Sequence, residues 1–556
     1  MRTAERDGGK ARPPRELLWG SEALAIGLID AGLDTLSAHE SIKAAEVAIA
    51  CEARRGGRRP AVEVHMSAPR AVESAIAAAS QGRPAAVVLP SRAFAAGAAP
   101  LHAFCERGTT AGLAVVLIED PGCEMTPGEI DSRYLARELY MPVLEPSSIE
   151  ELQETARVAP QLSERWGQPV MLRVGVRLLD TRSLVSPAPK KASKESKSGA
   201  ASAPPPPTGL GAYGGQAATD ARVRRLDAVS AAMESLPLNR AVLTPPSDML
   251  IVAVGAAYGA TRDALSLIGM ESTVQLVKLG TSYPLPRALL ASHMRKAKRC
   301  LVVEELEPYV ETRLSEIANK EGISVQVRGK VFIARGGELT PWDVADGLGR
   351  FAGLTPPVDE KRVETLDRVV REALPPRAPS LPPAHAFRAA LEAAGAFAAA
   401  SAGWDLIVEA PPEWRAALAG SGALYLGDWG EGLGVACAVA RRQGARALVV
   451  TEGRGIVAGL SALREAKAES LQVLALVSPQ GLSAAVERAL PGAHHHVLNL
   501  RALSQALGLE ASAIVEIGPA GPLELGSALR QAAASSGKGP TILAFEAPEA
   551  PGGKGL

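Results

Sequence analysis

Short, almost wholly apolar runs alternate along the chain with longer Ala-rich stretches in which apolar positions recur every three to four residues. The runs predict buried strands, and the stretches predict amphipathic helices. Fully apolar strands separated by helices are typical of parallel sheets that are covered on both faces. The strand candidates lie at 85–90, 113–120, 169–175, 249–257, 272–280, 299–306, 447–453, 471–479 and 541–548.

Two stretches interrupt this alternation. The segment 186–235 is largely Pro, Ser, Lys and Ala in its first half and lacks a hydrophobic period. Such a composition cannot bury enough apolar surface to offset its ordering entropy, so we expect a mostly disordered linker. A second linker is expected at 356–384. The chain then divides into three α/β domains with open, doubly wound sheets, at 14–185, 236–355 and 385–548.

The composition of the chain excludes several classes of protein. The chain has 556 residues, with 60 Lys+Arg against 60 Asp+Glu, and this zero net charge argues against a strongly basic nucleic-acid binder. Five cysteines without CxxC spacing exclude a zinc ribbon or ferredoxin-type cluster motif and suit a reducing compartment. The charged N-terminus lacks the apolar region of a signal peptide, and no apolar run is long enough to span a membrane. We therefore expect a cytoplasmic protein that binds neither nucleic acid nor membrane.

In doubly wound sheets, ligands bind at the carboxyl ends of the strands. The loop 119–134 follows an apolar strand; it begins with Glu119 and Asp120 and ends with Asp131, Ser132 and Arg133. This density of polar groups predicts a substrate-binding or interface loop. The alternative is a solvated loop with a helix cap.

Acidic and glycine-rich turns follow other strands. Glu304, Glu305 and Glu307 predict a salt-bridged interface in preference to a catalytic acid pair, because the next helix begins nearby and its N-terminus favours acids. The turn 427–434, which contains Gly430 and Gly432, predicts either a phosphate site at a helix start or a structural turn.

The step from Glu452 to Gly453 likewise predicts either a diphosphate or Mg²⁺ site or a tight turn. The consecutive histidines at 494–496 do not converge on one point, so we expect a loop there.

Several ordered motifs resemble a known family. They are Glu119-Asp120-Pro121-Gly122, Asp131-Ser132-Arg133-Tyr134, Pro142-Val143-Leu144-Glu145-Pro146, Lys278-Leu279-Gly280, Tyr283-Pro284-Leu285-Pro286 and Val302-Val303-Glu304-Glu305-Leu306. In this order and spacing they resemble the alpha subunit of indolepyruvate:ferredoxin oxidoreductase, a thiamine-diphosphate-dependent 2-oxoacid:ferredoxin oxidoreductase. The resemblance covers roughly 16–350, and identity is weaker in the third domain.

The resemblance implies a layout and a reaction. The three domains would resemble the pyrimidine-binding, transketolase C-terminal-type and diphosphate-binding domains of such enzymes. The family carries out oxidative decarboxylation of aryl 2-oxoacids to acyl-CoA and reduces ferredoxin. The implied cofactors are thiamine diphosphate and Mg²⁺. The implied assembly is a homo- or hetero-oligomer with a related oxidoreductase subunit, and ferredoxin would be reached through a partner.

The sequence departs from the family at the activating acid. The family places that carboxylate in an Asn-Glu step before a helix, and Ser67 and Ala68 stand at those positions here. An alanine cannot act as the acid, so no catalytic residue is assigned. Glu63 and Glu73 lie nearby in sequence, but each would point elsewhere in this register.

The sequence also departs from the family at the positions that hold Mg²⁺ and the iron–sulfur clusters. Glu452, Gly453 and Ser478 stand where the family holds Mg²⁺, and Mg²⁺ demands near-ideal octahedral geometry, so we expect weakened or absent binding. The family's Cys-Pro-Gly-Cys-Pro-His block corresponds to 381–385 in this chain, and that segment contains no cysteine. The chain ends at Leu556 without the family's ferredoxin-like domain, so we expect no iron–sulfur cluster in it.

These departures together favour a degenerate member, a pseudoenzyme candidate whose thiamine diphosphate and Mg²⁺ site is impaired or lost. The alternative is a non-catalytic scaffold or regulatory subunit that pairs with an intact relative. A third interpretation is a protein that binds another diphosphate-containing or acyl-CoA ligand at 427–434.

Overall fold

The computed structural model forms two compact units. The first comprises Met1–Gly122 and Glu129–Ala378, and the second comprises Cys123–Gly128 and Pro379–Leu556. The structure describes residues 6–7, 10–11, 15–65, 67–122, 130–186, 215–354, 393–398, 400, 404–408, 424–425, 432–441, 446–452, 456, 460–478, 514–519, 522–535 and 539–546.

Strands and helices alternate through the first unit. Its strands are β1 (Arg6–Asp7), β2 (Lys10–Ala11), β3 (Glu16–Trp19), β4 (Thr35–His39), β5 (Ala61–His65), β6 (Ala85–Pro90), β7 (Leu113–Glu119), β8 (Val143–Leu144), β9 (Val170–Gly175), β10 (Arg182–Val185), β11 (Arg240–Leu243), β12 (Met249–Val254), β13 (Gln275–Leu279), β14 (Thr281–Tyr283), β15 (Arg299–Val303) and β16 (Gln326–Arg328). Its helices are α1 (Gly20–Asp30), α2 (Ile42–Arg55), α3 (Ala68–Ser80), α4 (Ser91–Arg107), α5 (Ser132–Glu138), α6 (Ile149–Trp166), α7 (Val176–Leu179), α8 (Gly215–Met233), α9 (Ala257–Leu267), α10 (Arg287–Met294), α11 (Tyr309–Lys320) and α12 (Pro341–Ala352).

The second unit repeats the alternation. Its elements are β17 (Trp404–Val408), β18 (Leu424–Tyr425), α13 (Gly432–Ala440), β19 (Arg446–Glu452), α14 (Leu460–Ala468), β20 (Val473–Ser478), β21 (Ile514–Pro519), α15 (Pro522–Ser535) and β22 (Thr541–Glu546). Residues 393–398 are also helical. Among the helices described in both units, none is long and apolar enough to cross a bilayer.

The first unit contains a seven-stranded sheet in the order β14-β8-β9-β7-β6-β4-β5. Its strands are parallel except for the antiparallel edge strand β14. Every residue of β6 and β7 is buried, as their apolar runs predict. Helices α1 and α6 can pack closely at Gly27 because glycine has no Cβ. A Cβ at this position would lie 2.3 Å from the carbonyl oxygen of Gln153.

A five-stranded sheet, β11-β13-β12-β15-β16, forms the rest of the first unit's core. β11 pairs antiparallel with β13, and the other strands are parallel. Apolar clusters cover both faces. Strand β14 follows β13 directly in the chain, and it pairs with β8 in the seven-stranded sheet. The step from β13 to β14 therefore connects the two sheets.

The second unit is built on a six-stranded parallel sheet in the order β18-β17-β19-β20-β22-β21. Separate apolar clusters lie on its two faces. The α/β class and the three mainly parallel sheets predicted from the sequence are thereby confirmed. The antiparallel edge strands β11 and β14 were not predicted, because neither is long enough to show a periodic pattern.

One helix lies inside the segment expected to be a mostly disordered linker. Helix α8 occupies 215–233, and its Arg225 is 2% exposed. The Arg225 guanidinium donates to the carbonyl oxygens of Cys105 and Glu106 at 3.3 and 2.8 Å, and to Gln168 Oε1 at 3.2 Å. This part of the segment is therefore ordered by packing on the first sheet's helices. Residues 187–214 and 355–392, which hold the rest of both expected linkers, lie outside the described residues, and the other domain boundaries stay predictions.

The packing of α8 can be tested at adjacent arginines. Arg225→Ala removes the donor to two backbone carbonyls and should lower the free energy of unfolding by about 2 kcal/mol. Arg224→Ala, the matched control on the exposed face of α8, should change it by less than about 0.5 kcal/mol. Urea denaturation followed by circular dichroism measures both. Equal, small effects would contradict the docking of α8.

Candidate functional site

Neighbouring strand ends of the seven-stranded sheet place a buried arginine between two buried glutamates. Arg173 lies in β9, between β7, which ends at Glu119, and β8, which Glu145 follows. Arg173 Nε donates to Glu119 Oε1 at 3.1 Å, and Nη1 donates to Glu145 Oε2 at 2.7 Å. All three side chains are more than nine-tenths buried. Because isolated charges are costly to bury, the three groups depend on one another.

The loop after β7 supplies a second buried arginine. Asp131 caps α5 by accepting the backbone N–H of Arg133 at 3.2 Å, and it accepts the guanidinium at 2.8 and 2.6 Å. Arg133 Nη1 donates to Glu304 Oε2 at 2.6 Å, and Nη2 donates to the carbonyl oxygens of Glu305 and Glu307 at 3.0 and 3.1 Å. Arg133 therefore joins the loop to the end of β15 in the other sheet.

A single hydroxyl connects the two arginine clusters, because Ser132 Oγ donates to Glu119. We refer to the whole set as the buried ion network. Its members are Glu119, Asp131, Ser132, Arg133, Glu145, Arg173 and Glu304. The network spans the carboxyl ends of strands from both sheets of the first unit, the edge at which doubly wound sheets place ligands.

Glu304 lies at the start of α11 and is held by its first turn. Its carboxylate accepts the backbone N–H groups of Val310 and Glu311 at 3.0 and 2.9 Å. The N-terminal end of a helix favours a negative charge at this place. The Arg133 guanidinium also lies over the ring of Tyr309, 5.1 Å from its centroid, and Lys330 Nζ donates to the carbonyl oxygen of Glu304.

Burial and ion pairing act against each other in this network. Burial raises the pKa of Glu119 and of Glu304, while Arg173 and Arg133 respectively oppose that rise. Burial acts to raise the pKa of Asp131 too, but the charge and hydrogen bonds of Arg133 hold it below its ordinary value. Burial lowers the pKa of Lys330 to about 8. Arg133 and Arg173 are thus the cations that favour the ionised form of these carboxyl groups.

The predicted loop residues are brought together in part. Glu119, Asp131 and Arg133 enter the buried ion network, and Asp120 is buried directly after β7. Among their described partners is Glu304 of the other sheet, so the loop contributes to a salt bridge inside the first unit. An interface with another molecule stays a prediction for this loop. A role in substrate binding stays a prediction.

Sequence reasoning missed three members of this region. Arg173 and Lys278 stand inside otherwise apolar strands, and Glu145 follows one. Lys278 is fully buried and pairs with Glu151. The available signal was the charge itself, because a cation in an apolar strand that is covered on both faces needs a carboxylate partner.

The position at which the resemblance places the activating acid is apolar and buried in the structure. Ala68 is the first residue of α3, follows the N-cap Ser67 and is 4% exposed. Glu63, on β5, contacts Ser74 and the Nε2 of His65, the latter at 3.2 Å. Glu73 is half exposed and pairs with Arg70 at 3.2 Å. Neither glutamate lies in the first turn of α3.

Two residues that were predicted to hold Mg²⁺ and the diphosphate lie at the carboxyl ends of β19 and β20. Glu452 and Ser478 are register partners on these parallel strands, and Gly432 begins α13. Gly430, Gly453 and the histidines at 494–496 lie outside the described residues. Within the part of the chain that the structure describes, no group of three or more His, Cys, Asp or Glu side chains is arranged to hold a metal ion. The assignment of Glu452 and Ser478 to Mg²⁺ stays a prediction.

The buried ion network can be tested at its central cation. Arg133→Ala would leave Asp131 and Glu304 buried without their main counter-charge and should cost about 3–5 kcal/mol of unfolding free energy. Arg70→Ala, which breaks an exposed ion pair, is the control and should cost at most about 1 kcal/mol.

Chemical denaturation of both variants measures these costs. The double variant Arg133→Ala/Glu304→Ala should lose less than the sum of the single variants, because the two groups are coupled. Strict additivity would contradict the contact.

Comparison with curated proteins identifies similar chains. The indolepyruvate oxidoreductase subunit IorA of Pyrococcus abyssi is 28% identical over 376 residues, which cover 66% of this chain and 57% of that protein. The IorA subunit of Thermococcus kodakarensis is 28% identical over 391 residues, with 68% and 60% covered. That of Archaeoglobus fulgidus is 27% identical over 379 residues, with 67% and 59% covered. The chain thus spans less than two thirds of the length of these relatives.

Solved structures and family models add the following. A 2-oxoglutarate:ferredoxin oxidoreductase from Magnetococcus marinus has a TM-score of 0.47 at 15% identity and covers 60% of this chain and 65% of its own. A split-gene transketolase has a TM-score of 0.42 at 14% identity and covers 61% and 99%. No protein-family model matches the chain. The curated relatives confirm the resemblance of this chain to the alpha subunit of indolepyruvate:ferredoxin oxidoreductase, IorA.

Proposed function

We propose that this chain is an IorA-like oxidoreductase subunit that does not activate thiamine diphosphate itself and acts with a related subunit. The observation that carries the proposal is Ala68, an apolar and buried residue at the position where the resemblance places the activating acid. The curated relatives are named as subunits, which fits assembly into a larger complex.

The first turn of α3 offers no acid in place of Ala68. Residues three or four apart share a helix face, but Glu73 stands five residues after Ala68, so its side chain points in another direction. Glu73 lies five residues further on, at an exposed place, and Glu63 is engaged on β5. Thiamine diphosphate supplies carbanion chemistry when bound and activated. The residues around position 68 do not fit that activation, and no catalytic step is derived through the cofactor.

The buried ion network supports the structural half of the proposal. It holds the two sheets of the first unit together through Arg133, without any contribution from position 68. A chain that has lost the activating acid therefore keeps a complete scaffold at the same sheet edge. This arrangement favours a subunit that retains surfaces for assembly with a catalytically intact relative.

Calorimetry of the full chain tests the proposal. Titration of thiamine diphosphate with Mg²⁺ should give no saturable heat up to millimolar cofactor, while circular dichroism shows the protein to be folded. Binding at micromolar strength would overturn the impaired-site proposal.

If such binding occurred, two further variants would locate the substitute acid. Glu63→Gln would abolish binding if Glu63 had taken over the role. Glu73→Gln is the matched control, since its carboxylate lies on the exposed face of α3.

A further inference from the structure

A cavity of about 550 Å³ opens at the edge of the five-stranded sheet opposite to the buried ion network. Its floor is at Gln275, the first residue of β13, and at His293 in the last turn of α10. Both are more than nine-tenths buried. Its rim includes the exposed residues Asp248 and Lys296. A volume of this size suits a small-molecule ligand.

The hydrogen bonds of the floor fix the tautomer of His293. Gln275 Nε2 donates to the carbonyl oxygen of Ser247 at 2.7 Å, so Gln275 Oε1 is the atom that faces His293. His293 Nδ1 lies 3.1 Å from that oxygen and must therefore carry the proton. Burial, together with the charge of Lys296, lowers the pKa of His293, which keeps the ring neutral at pH 7.

The remaining ring nitrogen of His293 is left as an acceptor. Nε2 makes no hydrogen bond to any described residue, and it is not among the buried side-chain atoms that lack a partner. Because His293 lines the cavity, this nitrogen is available to accept a hydrogen bond there. Its place at the C-terminal end of α10 also favours a positively charged donor.

The rim adds two opposite charges. Asp248 offers a carboxylate, whose nearest cation is Lys298 Nζ at 3.9 Å. Lys296 offers an ammonium group on an exposed side chain that lines the same cavity. Pro245 and Pro246 form an apolar part of the cavity wall. A ligand that matches all these groups carries an ammonium, a carboxylate and an apolar part.

We propose that this cavity binds a zwitterionic α-amino acid with an apolar or aromatic side chain. The ammonium group faces Asp248 and His293 Nε2, the carboxylate faces Lys296, and the side chain packs on the two prolines. Residue 68 does not line this cavity, and the inference does not depend on the proposed function. Its place at the amino ends of β12 and β13 separates it from the sheet edge at which the family resemblance places the cofactor.

Titration of L-phenylalanine into the full chain tests the site. Calorimetry should show saturable binding with a Kd of about 1 mM or tighter. Asp248→Asn and Lys296→Ala should each weaken binding by about tenfold or more, since each removes a charged hydrogen bond. Both side chains are exposed, so neither variant threatens folding. Lys320→Ala, a change of an exposed lysine on α11 that does not line the cavity, is the control and should bind as the parent does.

Two analogues separate the zwitterion from simpler ligands. Phenethylamine lacks the carboxylate and 3-phenylpropionate lacks the ammonium, and both should bind at least about tenfold more weakly than L-phenylalanine. Equal binding of 3-phenylpropionate would overturn recognition of the ammonium. Absence of saturable binding up to about 10 mM, or a loss in only one of the two rim variants, would overturn the site itself.

Discussion

Two guanidinium groups in the interior of the first unit, those of Arg133 and Arg173, constrain the structure around them. An arginine remains protonated in proteins, so it cannot escape burial by losing its charge. Each ion that leaves water costs several kcal/mol unless partners surround it. The chain meets this requirement by ending β7 at Glu119, following β8 with Glu145 and following β15 with Glu304. Since the partners of Arg133 come from both sheets, the pairing also fixes how these sheets meet.

Much of this fold can be predicted from the sequence, because apolar runs alternate regularly with amphipathic stretches. The runs at 85–90, 113–118 and 542–545 are apolar without interruption, and each lies in a buried strand of a mainly parallel sheet. The loop 119–134 could be selected because polar residues after such a strand stand out. The identity of its partner could not be read, because Glu304 lies 171 residues away from Arg133 and no local pattern links them.

The helix α8 shows the complementary limit. It follows a proline- and serine-rich stretch, and the composition of that stretch favoured a linker for the whole segment. Its order comes from Arg225, whose hydrogen-bond acceptors are main-chain carbonyls of Cys105 and Glu106. Carbonyl groups are present at every residue, so a side chain that binds them leaves no sequence signature in its partner.

The carboxyl edge and the amino edge of the five-stranded sheet have opposite characters, and this difference bears on function. At the carboxyl edge, Glu304 is saturated by Arg133 and by the first turn of α11, so its charge is unavailable to a ligand. At the amino edge, His293 Nε2 and the rim charges lack such saturation and line open volume. Fold similarity alone predicts ligands at the first edge, but function depends on which groups remain free. Among the described residues of the five-stranded sheet, the amino edge is where an acceptor nitrogen and two exposed charges line one cavity.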